Sequence, residues 1–121
     1  MRGWLAAAGI NGFTSIAMGA LSAHLLQGRI STRGIDLVDT AARYQMYHAL
    51  ALFGTAWLVT VKPGIVTHLA GFAFLIGTIL FSGGLYGLGI TGLGGFAALA
   101  PFGGIAFMLG WLVLIFAAVR N

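Results

Sequence analysis

Few groups in this 121-residue chain can titrate, ligate a metal or pair with an anion: three histidines, three tyrosines, two acidic residues and six Lys or Arg. Seven side chains stand out by type and spacing: His24, Arg43, Tyr44, Tyr47, His48, Ser82 and Tyr86. Arg43 and Tyr47 are four apart, as are Tyr44 and His48, and Ser82 and Tyr86, so each pair shares a helix face. Arginine pairs with phosphate, tyrosine suits a membrane interface, and histidine can ligate metals. Two histidines alone make a poor zinc site, because zinc draws on about three or four protein ligands. Axial haem ligation by His24 and His48 would need a large open pocket beside them. The chain has no cysteine, which excludes disulfides, thiolate sites and iron–sulfur clusters. It also lacks an H-E-x-x-H, a nucleophile elbow, a phosphate loop and any acid inside an apolar stretch. The expectation is a chain with no catalytic residues, no metal and no cofactor, hence not an enzyme.

The elements that must position these groups follow from composition. Hydrophobic residues make up 60% of the chain and charged residues 7%, with a mean hydropathy of +1.01. A soluble domain carries about 25% charged residues, so the chain is read as an integral membrane protein. Its six Lys and Arg are scattered, which excludes a nucleic-acid stripe and points to lipid surfaces instead. Four apolar stretches approach the roughly 20 helical residues that cross a bilayer: 3–26, 44–61, 67–90 and 97–119. None alternates as a membrane strand would. Short turns at "VKPGIV" and "TGLGG" imply antiparallel neighbours, so residues 1–121 are expected to form a single all-α transmembrane domain, a four-helix bundle.

Residues 27–43 differ, holding Asp36 and Asp39 with Arg29, Arg33 and Arg43. Ser31 or Thr32 can cap a helix there, and Ile35, Val38 and Ala42 fall at helical spacing. An amphipathic surface helix between the first and second spans is expected, with a solvated loop as the plain alternative. The first stretch is too long for a signal peptide and is expected to be retained. Arg2, Lys62 and Arg120 lie on one side of such a bundle, and Arg29, Arg33 and Arg43 on the other, which balances the positive-inside count. With Arg43 assigned to a helix entrance, the termini are expected in the cytoplasm and the protein in the cell inner membrane.

Helical projection puts Asn11, Thr14, Ser15, Met18 and Ser22 on one arc of the first span. The third carries His68, Gly71, Leu75, Thr78, Ser82 and Tyr86 at spacings of three and four, and the fourth sets Gly103 and Gly110 opposite Trp111. Polar groups must face the bundle, because hydrocarbon offers them no partner. Antiparallel packing then gathers His24, Arg43, Tyr44, Tyr47, His48, Ser82 and Tyr86 at one rim, with His68 at the opposite rim near Lys62. That rim reads either as a hydrogen-bonded cluster fixing the bundle or as a pocket for a lipid headgroup, a quinone or another small amphiphile.

The segments "GALSAHLL", "RYQMYHALALF", "LFSGGLYGLGITG" and "APFGGIAFMLGWL" resemble the domain of unknown function 423 family of small membrane proteins. Its combined pattern is G-A-x-x-A-H, Y-Q-x-x-H-x-L-A, L-F-S-G-x-L-Y and P-x-G-G. These motifs fall on Gly19–His24, Tyr44–Ala51, Leu80–Tyr86 and Pro101–Gly104 here. Ser22 stands where glycine is usual, Gly84 where serine is frequent and Ala100 where threonine is common. The resemblance implies four transmembrane helices and brings no catalytic residues with it.

Two functions are therefore expected as alternatives. One is a non-enzymatic structural or accessory component, packed in a larger membrane complex or a homo-oligomer and surrounded by membrane lipids. The other is a lipid-, quinone- or small-amphiphile-binding module that uses the rim.

Overall fold

The computed structural model describes residues 1–121, which are helical apart from short turns. In order come α1 (Arg2–His24), α2 (Thr32–Val61), α3 (Ile65–Gly77), α4 (Gly83–Thr91) and α5 (Leu99–Val119). A π-helical turn at Thr78–Ser82 joins α3 to α4, and a 3₁₀ turn at Gly94–Ala98 leads into α5. Three stretches are long and apolar enough to cross a membrane: Arg2–His24, Ile65–Thr91 and Gly94–Val119.

Local chemistry accounts for most boundaries. Of the two candidate caps, Ser31 is the one used: its hydroxyl oxygen accepts the Gly34 N–H at 2.9 Å. From there α2 runs 30 residues without interruption, a rod of about 45 Å. The expected division at residue 43 is absent. Thr32–Arg43 forms the first turns of the helix that contains Tyr44–Val61, because no proline or glycine lies between Ile35 and Phe53 to stop propagation. Val38 and Ala42 of that segment are buried against the protein, not laid along a lipid surface. Lys62-Pro63-Gly64 ends α2, with Gly64 at φ 132, a backbone conformation that favours glycine. The third stretch begins at Ile65, two residues before the expected start, and its π turn shifts the face presented by α4 relative to α3.

Packing is tight where side chains are smallest. α1 packs on α2, α2 on α3 and α4, and α3 with the π turn on α5. The carbonyl of Gly34 lies where a Cβ on Gly89 would sit, so α2 and α4 meet backbone to backbone. Aromatic rings fill other glycine positions: Trp4 over Gly71, Phe74 over Gly110 and Phe107 over Gly77. Such close approach supplies the van der Waals contact that drives helix association in lipid. The centre holds Leu52, Ala56, Ala70 and Phe74, all fully buried. Large apolar side chains such as Phe13, Leu50, Trp57 and Phe102 point outward, the inverse of a water-soluble surface.

Candidate functional site

Two hydrogen bonds set the register between α1 and α2. The Ser15 hydroxyl donates to the Ala42 carbonyl at 2.6 Å, and the Gln45 amide donates to Asn11 Oδ1 at 2.9 Å. The Tyr86 hydroxyl donates to the other end of Gln45, Oε1, at 2.6 Å. Asn11 in turn donates to the Ala7 carbonyl, and Ser82 donates to the Ala41 carbonyl at 2.9 Å. This chain of bonds ties α1, α2 and α4 together near the middle of α2. Tyr86 reaches Gln45 because side chains tilt toward the N-terminus of their own helix, and antiparallel helices bring those tilts together.

His48 belongs to a different contact. The Trp111 indole N–H donates to His48 Nε2 at 3.1 Å. Indole nitrogen only donates, so Nε2 accepts, and the ring proton sits on Nδ1, 2.7 Å from the Tyr44 carbonyl. Phe107 stacks on the imidazole with ring centroids 3.5 Å apart and planes within 6°. His48 therefore joins α2 to α5, away from the Gln45 network.

The remaining rim residues are spread out. Arg43 faces outward, its side chain 57% exposed and its Nε 3.9 Å from Asp39 Oδ2, with Thr40 as a further acceptor. Tyr44 and Tyr47 are partly exposed and stack edge to face, with Tyr44 also against Phe81. His24 is exposed at the end of α1. Extending the Ser15–Ala42 register puts His24 level with Arg33, about 22 Å along α2 from His48. The two histidines do not share a depth, because α2 begins at Thr32 and His48 lies past its midpoint. Ser82, Tyr86 and α2 do meet, as expected, but through Ala41 and Gln45. The single rim thus resolves into the Gln45 network, the His48–Trp111 pair and an outward group of Arg43, Tyr44 and Tyr47, with His24 apart.

The opposite end carries the other polar cluster. Lys62 Nζ donates to the Arg120 carbonyl, and Arg120 Nη2 donates to the carbonyls of Lys62 and Pro63 at 3.0 Å each. Thr67 donates to the same Lys62 carbonyl at 2.7 Å. Beside this cluster, the Trp4 indole N–H donates to His68 Nδ1 at 3.0 Å. His68 thus lies at the end shared with Lys62, as projected.

The arrangement stitches helices together by hydrogen bonds and leaves Arg43 facing outward. Gln45, Asn11 and Trp111 were outside the expected rim set. Gln45 carried a readable signal, an amide inside an apolar stretch and beside two of the rim residues. Trp111 carried none, since helix periodicity sets it opposite the glycine face.

A family model described as "Protein of unknown function (DUF423)" matches residues 18–104. Relatives include the UPF0382 membrane protein YwdK of Bacillus subtilis, 38% identical over 122 residues and covering 99% of this chain and 98% of its own length. The UPF0382 inner membrane protein YgdD of Escherichia coli is 34% identical over 113 residues, covering 93% of this chain and 86% of its own. No solved structure matches the chain.

Proposed function

The chain belongs to the DUF423 family, and from that premise we propose that it is a four-span, non-enzymatic structural or accessory component of the inner membrane. One observation carries the reading: the buried polar groups are engaged with one another. Gln45 has both amide ends bonded, His48 has both ring nitrogens bonded, and no buried side-chain N or O lacks a partner. A rim pocket for a lipid, quinone or small amphiphile would have to break bonds that already close it. That alternative keeps only Arg43, Tyr44 and Tyr47, which face outward from the bundle.

The fourth span draws support from connectivity. α2 starts at the end where α1 finishes and finishes at the end where α3 starts, so it covers the same distance as its neighbours. By the Ser15–Ala42 register the part of α2 level with α1 is residues 33–55, which rises about 34 Å, enough for a hydrocarbon core of about 30 Å. Arg33, level with the end of α1, then stands at headgroup level, and the outward Asp39 and Arg43 lie two to three turns deeper, level with Met18 and Thr14. Cytoplasmic termini are part of this reading, with Arg2, Lys62 and Arg120 at the end that faces inward. Cysteines introduced at Thr32 and Pro63 should label from opposite sides of the membrane, and labelling from one side would overturn the four-span reading. Pro63 is preferred to Gly64, whose φ of 132 resists a side chain.

Assembly draws support from α1, where side chains at Gly9, Gly12 or Gly19 would meet nothing within 4 Å. That open strip leaves room for another helix, from a larger complex or a second copy. Gly12→Leu should disrupt assembly, read by native mass spectrometry after mild extraction, and leave thermal unfolding unchanged. A wild-type protein that emerges as a lone monomer would count against the accessory role.

A further inference from the structure

Two tryptophans donate to histidines in this protein, and one of the two pairs is left open. At Trp111–His48 the second imidazole nitrogen donates to the Tyr44 carbonyl. At Trp4–His68 the indole N–H occupies Nδ1, so the ring proton of His68 sits on Nε2, where no protein acceptor meets it. His68 is half-buried and lines a groove of about 390 Å³ between α1 and α3, walled by Trp4, Ala7, Phe72 and Leu75. A volume of this order suits a small ligand or a length of acyl chain. His68, Phe72 and Leu75 share one face of α3, so the groove runs about 10 Å along the helix from His68 to Leu75. Its upper end lies at the end of the bundle that carries Arg2, Lys62 and Arg120, whereas Asp36 and Asp39 lie on the opposite half of α2.

We propose that this groove binds an anionic phospholipid. His68 Nε2–H donates to an ester carbonyl or phosphate oxygen, an acyl chain lies along Trp4, Phe72 and Leu75, and the cations at this end favour a negative headgroup. The site rests on the spanning reading above, which puts this end at headgroup depth.

The test uses the full chain in mild detergent, offered phosphatidylglycerol or phosphatidylcholine and read by native mass spectrometry. The wild type should retain phosphatidylglycerol preferentially. His68→Phe removes the donor and should cut that retention on the order of tenfold, the worth of one hydrogen bond. Gly3→Leu should do the same by filling the groove, since a Cβ at Gly3 meets nothing within 4 Å. Gly3→Leu leaves the Trp4–His68 bond in place, so it decides the matter if His68→Phe does not fold. Equal retention of the two lipids, or undiminished phosphatidylglycerol on folded Gly3→Leu, overturns the site. If Thr32 and Pro63 cysteines still label from opposite sides in that protein, the spanning reading survives that failure.

Discussion

Tyr86→Phe keeps the ring of Tyr86 and deletes the hydroxyl that donates to Gln45 Oε1 at 2.6 Å. Gln45 is 6% exposed, so water cannot replace the lost donor. An orphaned buried acceptor costs about 1–3 kcal/mol, while side-chain hydrogen bonds measured inside membranes average about 0.6 and reach about 1.7 kcal/mol. Because the Gln45 amide keeps its bond to Asn11, the side chain stays in place, and a loss of about 1–2 kcal/mol is expected. Gln45→Leu should cost more, since it strands both Asn11 Oδ1 and the Tyr86 hydroxyl. The double variant should then cost less than the sum of the two, by about 1 kcal/mol. Reversible unfolding in mixed micelles, followed by helical circular dichroism, measures all four proteins. Additivity within roughly 0.3 kcal/mol would show that the two residues are uncoupled and refute the network as a structural tie.

Three further outcomes follow from the packing. Gly103→Leu should lower stability by about 3 kcal/mol in the same assay, because a side chain there meets the backbone of Phe81, which cannot rotate aside. Arg43→Ala should change stability by less than about 0.5 kcal/mol, since its contact with Asp39 is an exposed pair at 3.9 Å; a larger loss would mean that a partner holds Arg43. Trp111→Phe should cost about 1 kcal/mol by leaving His48 Nε2 without a donor, whereas Trp57→Phe, at an outward position 61% exposed, should unfold like the wild type.

Of the four apolar stretches expected, three lie in helices long and apolar enough to cross a membrane. Helical class and membrane character were legible from composition and run length, which are properties of the chain taken locally. So was the Ser31 or Thr32 cap, and so was the inward turn of Ser15, Ser82 and Tyr86, because hydrocarbon leaves a polar group no other partner. The break at residue 43 was misread because exposed charge does not interrupt the backbone hydrogen bonds of a helix, and α2 runs through it. That error carried into depth: starting the second helix at Tyr44 instead of Thr32 brought His24 and His48 together, and the register set by Ser15 and Gln45 separates them.

Projection onto a helix tells which residues share a face, and the amino-acid sequence by itself determined those faces here. What it could not determine is which neighbour each face meets and at what height. Trp111 finds His48 across 63 positions of sequence, and Trp4 finds His68 across 64. Those pairings sit beside glycines that admit a ring or a backbone: Gly71 under Trp4, and Gly77, Gly103 and Gly110 where α5 meets α3 and the π turn. Only the tertiary structure decides them, because the relative height and rotation of packed helices come from the fit of whole surfaces, while periodicity repeats identically along each helix and carries no record of its neighbour.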